Sequence, residues 1–481
     1  MLKGLLIFFL VSWARDGLAA PKEDLITDLP GLSWEPNFKQ YSGYLQGAGT
    51  KKLHYWFVES SSQPRTDPVV LWMNGGPGCS SLDGFLTEHG PFRVNDDGKN
   101  LEANPYSWNL ITNMIYLESP AGVGFSYSDD RNYTTDDDDV ARNNHLALQD
   151  FFQKFPEYKE NEFYITGESY AGIYAPTLVS VVLDDPDINL KGFAVGNGLS
   201  DNDMNDNSIV YFTYYHGLIE TRDWFRMRHA CCPGNETEMW CDFIGGSRKY
   251  KDCADENDKI SNLVWSSGLN VYNLYSECAG GVSNHNLYFS AERGKFVTNN
   301  FGWPFMFLKN KVADLRMKLS MIPADKLLLT PACTNDTAIV NYLGSPNTRK
   351  ALHIPDVVQP WEVCSYDVST NYGKIYSTMA PQYQKAIDRK LRILVYNGDI
   401  DMACNFLGDE WFVDSLHVKN PQVRKPWFYK AADGTKQIAG YVKNFDRVSF
   451  VTIRGAGHMV PTDQPIQALK MYVNFIQDLP F

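Results

Sequence analysis

Short runs of consecutive apolar residues recur in the first and last parts of the chain, each followed by a loop rich in Gly, Pro or Asn. They occupy residues 69–73 (VVLWM), 114–118 (MIYLE), 163–166 (FYIT), 192–196 (GFAVG), 392–396 (RILVY) and 448–453 (VSFVTI). Unbroken apolar runs of this length are typical of parallel strands that are buried on both faces. The chain ends with helical spacing over 464–477. The pattern predicts an α/β protein whose chemistry lies in the loops after the strands.

The middle of the chain, residues 200–330, has a different texture, because strand-like runs are rare and cysteines are crowded among charged and aromatic residues. These cysteines are Cys231, Cys232, Cys241, Cys253 and Cys278. We interpret this segment as an inserted, disulfide-rich, mostly helical cap on an α/β core made of residues 20–199 and 331–481. Within the cap, residues 282–300 are polar and contain basic side chains. They predict an exposed loop and a candidate processing site, since proteases prefer loop tips.

Several features predict entry into the secretory pathway. Residues 1–19 form a signal peptide pattern, with Lys3, a short apolar segment and a small-residue cleavage site. No later run reaches about 18 apolar residues, so no membrane span is predicted. The nine cysteines suit an oxidising compartment, and three sequons predict glycosylation at Asn132, Asn235 and Asn335. The net charge of −13 argues against a nucleic-acid partner.

The most specific chemical signal is GESYAG (167–172), which follows one of the apolar runs and precedes a helical pattern. This is the setting of a nucleophile elbow, with Ser169 as the candidate nucleophile. In enzymes with this elbow, the acid and then the base follow later, each just after a strand. Asp399 and Asp401 both follow the run at 392–396, and His458 follows the last run in a glycine loop. We expect His458 to accept the Ser169 proton and one of the two aspartates to orient the imidazole.

An oxyanion hole is expected where NGGPG (74–78) follows the first run. The backbone N–H groups of Gly76 and of Tyr170, the residue after the nucleophile, are the candidate donors. Glu168 is unusual beside a nucleophilic serine, because a carboxylate there opposes the negative charge that develops on the hydroxyl oxygen.

Other polar patterns receive simpler interpretations. The aspartate run 136–139 predicts the solvated start of a helix, because acids are favoured there and the run lacks the spaced ligands of a calcium loop. No C-x-x-C pairs occur at zinc spacing, and the glycine patterns at 196–201 and 455–460 lack a dinucleotide-binding context. No metal site and no cofactor are therefore predicted.

Five motifs, in register, carry a family resemblance. They are WMNGGPGCSS (72–81), ESPAGVGFSYS (118–128), GESYAG (167–172), NGDIDMACN (397–405) and GAGHMVP (455–461). Together they resemble the serine carboxypeptidase family over nearly the whole chain after the signal peptide, and most of all its lysosomal members. The resemblance implies an α/β-hydrolase fold and a catalytic triad of Ser169, Asp401 and His458, so that Asp401 is preferred to Asp399.

The resemblance also implies a site for the terminal carboxylate of a peptide, formed by Trp72, Asn74, Gly75, Glu88 and Glu168. Two acids held close cannot both ionise cheaply, so one would keep a proton and donate a hydrogen bond to the substrate carboxylate. For the cysteines the resemblance implies four disulfides and a free Cys404 near the substrate pocket. The implied pairs are Cys79–Cys364, Cys231–Cys253, Cys232–Cys241 and Cys278–Cys333, which the sequence alone does not select.

The function implied by the resemblance is that of a lysosomal serine carboxypeptidase. It would act at acidic pH through an acyl-enzyme, prefer hydrophobic C-terminal residues, and be made as a zymogen. A homodimer and a complex that stabilises other lysosomal hydrolases, glycosidases among them, are also implied. A secreted enzyme, and an acyltransferase or esterase on the same scaffold, are the alternatives. Glu88 and Glu168 favour the recognition of a free carboxylate, and hence a peptidase.

Overall fold

The computed structural model describes residues 20–234, 240–265, 267–279, 281 and 333–481, together with three strands at 288–290, 295–301 and 327–331. The predicted signal peptide and Asn235 lie outside the described residues. No helix in these ranges is both long enough and apolar enough to cross a membrane.

The described strands alternate with helices along the chain. The strands are β1 (Gln40–Gln46), β2 (Lys51–Val58), β3 (Val69–Met73), β4 (Phe92–Val94), β5 (Leu101–Ala103), β6 (Asn113–Leu117), β7 (Tyr127–Ser128), β8 (Thr135–Asp136), β9 (Phe163–Glu168), β10 (Leu190–Gly196), β11 (Tyr288–Ser290), β12 (Lys295–Phe301), β13 (Leu327–Pro331), β14 (Tyr372–Gly373), β15 (Arg392–Gly398), β16 (Lys425–Lys430), β17 (Lys436–Asn444) and β18 (Val448–Ile453). The α-helices are α1 (Asp137–Lys154), α2 (Ala171–Val182), α3 (Asn202–Tyr215), α4 (Thr221–Cys231), α5 (Phe243–Lys249), α6 (Lys251–Trp265), α7 (Thr337–Gly344), α8 (Pro346–Ala351), α9 (Tyr366–Asn371), α10 (Ala380–Asp388), α11 (Phe406–Ser415), α12 (Val460–Asp463) and α13 (Pro465–Ile476).

An 11-stranded mixed sheet forms the centre, in the order β1-β2-β6-β3-β9-β10-β15-β18-β17-β16, with β7 paired to β2. The six strands from β6 to β18 are parallel to one another. They are the six apolar runs that the sequence predicts as strands, so this prediction is confirmed. The predicted C-terminal helix is confirmed as α13.

Both faces of the parallel strands are covered, which explains why their sequences do not alternate. In β3, Val69 and Leu71 pack into the core on one face, with α1, α2, α10 and α11. Val70 and Trp72 pack on the opposite face, with α7 and α13. Because successive side chains of a strand point to opposite faces, a strand between two cores needs an apolar residue at every position.

The predicted cap segment contains α3, α4, α5 and α6, which share a third apolar cluster with α11. It is not only helical, because β11, β12 and β13 form a separate three-stranded sheet. The predicted loop over 282–300 is therefore wrong where β11 and β12 lie. Residues 282–287 and 291–294 of that segment fall outside the described residues.

Four disulfides are present, and they join the pairs that the family resemblance implies: Cys79–Cys364, Cys231–Cys253, Cys232–Cys241 and Cys278–Cys333. The first ties the loop after β3 to the segment before α9. The backbone reinforces this tie, because Ser80 N–H donates to the Val363 carbonyl and Ser365 N–H donates to the Gly78 carbonyl.

Candidate active site

Ser169 lies at a sharp turn between β9 and α2. Its φ of 62° is in the left-handed region, which non-glycine residues seldom adopt and which is found at sites held by their surroundings. The turn is held by hydrogen bonds, since Ser169 N–H donates to the Gly196 carbonyl (3.0 Å) and its own carbonyl accepts from Leu199 N–H (3.0 Å). A Cβ at Gly167 would lie 2.4 Å from the Met73 carbonyl oxygen, so the chain passes too close there for a side chain.

His458 follows β18 and contacts Asp401, which follows β15. Its Nδ1 lies 2.7 Å from Asp401 Oδ2, and both side chains are buried. Asp401 also accepts from Asn197 Nδ2 (2.8 Å) and from the N–H groups of Ala403 (2.9 Å) and Cys404 (3.2 Å). These donors fix the carboxylate so that it faces the imidazole.

Asp399, the other candidate acid, has a different environment. Its Oδ1 accepts from Gly455 N–H (2.7 Å), and it holds the loop that leads to His458. Of the two aspartates that the sequence leaves open, Asp401 is therefore the one hydrogen-bonded to His458.

The predicted cap segment reaches the same place through Tyr272. The Tyr272 carbonyl accepts from His458 N–H (2.7 Å), and the two rings lie 4.6 Å apart between centroids. Asp463 supports the same loop by accepting from Gly457 N–H (2.7 Å). His458 and its loop are thus held by the loop after β15, by α12 and by one segment of the cap.

The glycine loop after β3 packs against the N-terminus of α2. A Cβ on Gly75 would lie 2.3 Å from Tyr170 N and 2.8 Å from Ser169 Cβ, so only glycine fits. Gly76 has a φ of 113°, which also favours glycine. Neither Gly76 N–H nor Tyr170 N–H donates to any residue that the structure describes. Both candidate oxyanion donors thus lie beside the serine, without a hydrogen-bond acceptor among the described residues.

Asn74 joins the two glutamates that the resemblance assigns to carboxylate binding. Its Oδ1 accepts from Trp72 Nε1 (2.7 Å) and Gly84 N–H (3.2 Å), which fixes the orientation of the amide. Its Nδ2 therefore faces Glu168 Oε1 (2.9 Å) and Glu88 Oε1 (3.4 Å). All of the side chains named here are buried.

Burial is the main cause that raises the pKa of both glutamates. The pKa of Glu168 is raised well above its usual value, first by burial and next by the charge of Glu88. Burial and then the charge of Asp83 raise the pKa of Glu88. Asp83 is also a member of this acidic group, and burial raises its pKa to about 6. Such a group retains protons at a pH where isolated carboxyls would be ionised.

One cavity of about 40 Å³ brings these parts together. It is lined by Asn74, Gly75, Gly76, Cys79, Asp83, Glu168, Ser169, Tyr272, Pro331, His458 and Met459. Trp72 and Glu88 lie behind Asn74, and Asp401 lies behind His458. The arrangement places a candidate nucleophile, a candidate base and an acid of raised pKa around the same small space.

The remaining predicted site residues lie as follows. Burial raises the pKa of the Cys404 thiol well above its usual value, so it stays protonated and a poor nucleophile. Asn132 and Asn335 are exposed. Among the residues that the structure describes, no group of three or more His, Cys, Asp or Glu side chains is placed to hold a metal ion.

A family model described as serine carboxypeptidase, Peptidase S10, matches residues 30–478. The chain belongs to the serine carboxypeptidase family. It is 51% identical over 483 residues to the lysosomal protective protein of Mus musculus, covering 100% of this chain and 99% of that protein. It is 41% identical over 489 residues to serine carboxypeptidase ctsa-4.1 of Caenorhabditis elegans, covering 98% of this chain and 97% of the relative.

The fold agrees with a solved structure of the same class. A crystal structure of Kex1(delta)p, a prohormone-processing carboxypeptidase of Saccharomyces cerevisiae, superposes with a TM-score of 0.70 at 23% identity. The match covers 95% of this chain and 96% of that one. The prediction of an α/β-hydrolase fold with an inserted, disulfide-rich segment is thereby confirmed.

Three residues of the site were not predicted from the sequence. Asn197, which holds Asp401, follows β10 directly, and a polar residue after a buried parallel strand was a usable signal. Asp83 immediately precedes the short helical segment Gly84–Glu88 that follows the glycine loop, and Tyr272 lies in an aromatic-rich part of the cap segment. Their local sequence gives no reason to single out either residue.

Proposed function

We propose that the protein removes single residues from the C-termini of peptides at acidic pH, through an acyl-enzyme on Ser169. The observation that carries this proposal is the placement of Asn74, which joins two buried glutamates of raised pKa beside Ser169. A general esterase has no need of a protonated acid pair at this position. A carboxypeptidase does, because it must recognise a chain end that carries a negative charge.

In the proposed reaction, the terminal carboxylate of the peptide accepts hydrogen bonds from Asn74, from Gly75 N–H and from the protonated member of the glutamate pair. The Ser169 hydroxyl attacks the last peptide carbonyl while His458 Nε2 takes its proton. Gly76 N–H and Tyr170 N–H stabilise the oxyanion. His458 then gives the proton to the leaving amine. In the second half of the reaction, water attacks the acyl carbonyl while His458 takes a proton from it. The bond from the acyl carbon to Ser169 Oγ breaks, and His458 returns that proton to Oγ.

The acidic pH dependence is supported by the sign of the pKa shifts. The raised pKa values of Glu168 and Glu88 mean that the pair holds a proton at low pH and loses it as the pH rises. Once that proton is lost, two glutamate charges repel the carboxylate of the substrate. Peptide binding should therefore weaken with rising pH. The catalytic step has the opposite requirement, because His458 must be neutral to act as a base.

A direct test uses a blocked dipeptide and its C-terminal amide at several pH values. We expect the dipeptide to be cleaved best at acidic pH, because the acid pair is then protonated. Hydrolysis of the amide, which carries no charge for the pair to repel, should persist to higher pH. Cleavage of esters or transfer of acyl groups without any cleavage of the free dipeptide would favour the alternative acyltransferase or esterase function.

Glu168→Gln tests the acid pair itself, because glutamine keeps a hydrogen-bond donor but has no titrating proton. We expect a lower kcat/KM for the dipeptide at acidic pH and a flatter decline of binding towards high pH. The amide profile should change little. Measuring kcat/KM against pH for both substrates separates these effects.

The matched control for this prediction is Glu162→Gln, which changes an exposed glutamate just before the same strand. This variant should keep the pH profile of the wild type. Parallel profiles for Glu168→Gln and wild type on both substrates would mean that Glu168 does not sense the carboxylate.

Other parts of the proposal rest on similarity. The relative from Mus musculus is named as a lysosomal protective protein, which supports lysosomal localisation, whereas a role in stabilising other lysosomal hydrolases stays a prediction. The apolar side chains of Tyr272, Pro331 and Met459 at the cavity support a preference for hydrophobic residues. Homodimer formation, glycosylation, secretion as a zymogen and processing within 282–300 stay predictions.

A further inference from the structure

The aspartate run 136–139 contains a residue whose position contradicts the sequence prediction. The run was predicted to be a solvated helix start, yet Asp137, the first residue of α1, has no exposed surface. Burying a carboxylate is costly unless its oxygens are satisfied by donors. This position therefore requires a specific structural reason.

Four donors surround the Asp137 carboxylate. Oδ1 accepts from the hydroxyls of Tyr170 (2.9 Å) and Tyr372 (2.9 Å). Oδ2 accepts from the N–H groups of Ile375 (2.7 Å) and Tyr376 (3.2 Å). The side chain thus links the start of α1 to the residue after the nucleophile and to the segment that follows α9.

The neighbouring aspartates have other partners. Asp136 caps α1 by accepting from Asp139 N–H (2.8 Å), and Asp139 binds Lys51 (2.9 Å). Asp138 is exposed and accepts from the Tyr376 hydroxyl (2.6 Å). Asp138 therefore ties the same helix turn to the same segment without touching Tyr170.

Tyr170 is held closely on all sides. Its ring meets Tyr174 and Tyr372 edge to face, at 5.2 and 5.6 Å between centroids, and Lys374 Nζ lies 5.2 Å from its centroid. On the backbone side, Gly75 packs so close that a Cβ would lie 2.3 Å from Tyr170 N. Because the ring and the backbone of Tyr170 are both held, the position of its hydroxyl is coupled to the position of its backbone.

We propose that Asp137 is a positioning residue for the oxyanion hole, which it serves by anchoring the Tyr170 hydroxyl and so fixing the direction of Tyr170 N–H. This inference rests on the proposed function, because it takes Tyr170 N–H as an oxyanion donor. An oxyanion donor is most effective when it is held in place before the reaction, and a misplacement of about 1 Å can cost about 10²-fold in rate. The proposal gives a buried acid outside the triad a role in turnover.

The test compares Tyr170→Phe and Asp137→Asn with the control Asp138→Asn. Tyr170→Phe removes only the hydroxyl and keeps the ring, and Asp137→Asn replaces one acceptor oxygen by a group that cannot accept from N–H or O–H. We measure kcat and KM on an ester substrate, with active sites counted by a serine-directed phosphonate. We also measure inhibition by a peptide aldehyde, whose adduct places an oxyanion in the hole, and by a product amino acid, which does not.

The kcat per titrated site should fall about 3- to 10-fold in Tyr170→Phe and about 10- to 100-fold in Asp137→Asn. For comparison, removing an oxyanion donor altogether lowers kcat by about 10²- to 10³-fold. Inhibition by the aldehyde should weaken by the same factors, because kcat and the affinity for the aldehyde both depend on how well the oxyanion is stabilised. KM and inhibition by the product should stay within about twofold of wild type. Asp138→Asn should resemble wild type in every measurement.

A purely structural role for Asp137 predicts something else, namely a lower melting temperature with unchanged kcat per titrated site and unchanged aldehyde inhibition. That result, or a rise in KM alone, would overturn the proposal. If Asp137→Asn does not fold, Tyr170→Phe decides the matter by itself. If the proposed peptidase function is wrong, the wild type will not cleave the dipeptide. The role of Asp137 is still tested in that case, because it is measured by ester hydrolysis and by aldehyde inhibition.

Discussion

Ser169→Ala is expected to reduce peptide hydrolysis by at least about 10⁴-fold, to a background rate, because the hydroxyl oxygen forms the acyl bond. The variant should fold normally. The substitution removes one oxygen from a residue whose turn is held by backbone hydrogen bonds to Gly196 and Leu199. Turnover of the dipeptide and the melting temperature should be measured on the same preparation.

A suitable control is Ser180→Ala on α2, where the Ser180 hydroxyl donates to the Pro176 carbonyl of its own helix (3.0 Å). This variant should retain activity close to that of wild type. Normal turnover by purified Ser169→Ala would contradict the assignment of the nucleophile, and with it the proposed acyl-enzyme.

Asp401→Asn should lower kcat about 10⁴-fold, the effect typical of an orienting aspartate whose loss selects the wrong histidine tautomer. The structural reason is the 2.7 Å contact of Asp401 Oδ2 with His458 Nδ1. An asparagine whose N–H₂ group takes the place of Oδ2 would also face the donors of Asn197 and Cys404. The rate should therefore be expressed per active site titrated with a phosphonate.

Asp399→Asn is the matched control, because Asp399 lies two residues away on the same loop and bonds to Gly455 N–H instead of His458. Asparagine at this position keeps an oxygen that can accept from Gly455 N–H, so the change should cost at most a few-fold in kcat. The opposite order of effects would show that Asp399 is the acid.

The centre of the fold was predictable because burial on both faces leaves a strong mark on a sequence. Strands such as β3 and β6 have apolar residues at nearly every position. The outer antiparallel strands were not predicted. In β16, the burial alternates irregularly and lysine occupies both ends, as expected of a strand at the edge of a sheet.

The candidate site shows the same division. Ser169 and His458 could be predicted because each lies in a short glycine-containing motif after a strand. The order of nucleophile, acid and base along the chain then pointed to an aspartate between them. Asp137 and Tyr272 could not be found, since their importance comes from contacts with residues far away in sequence. Asp137 meets Tyr372, and Tyr272 meets His458.

The disulfides decide what a break in the chain between 282 and 300 would do. Cys278–Cys333 and Cys79–Cys364, with sequence separations of 55 and 285 residues, both bridge that interval. Cleavage would leave one covalent particle made of a longer and a shorter polypeptide. Ser169 would belong to the first and both Asp401 and His458 to the second, joined inside the sheet by the pairing of β10 with β15. The nucleophile and its base would then belong to two different polypeptides of one active site. After reduction of the disulfides, a phosphonate label on Ser169 would be found on the N-terminal polypeptide.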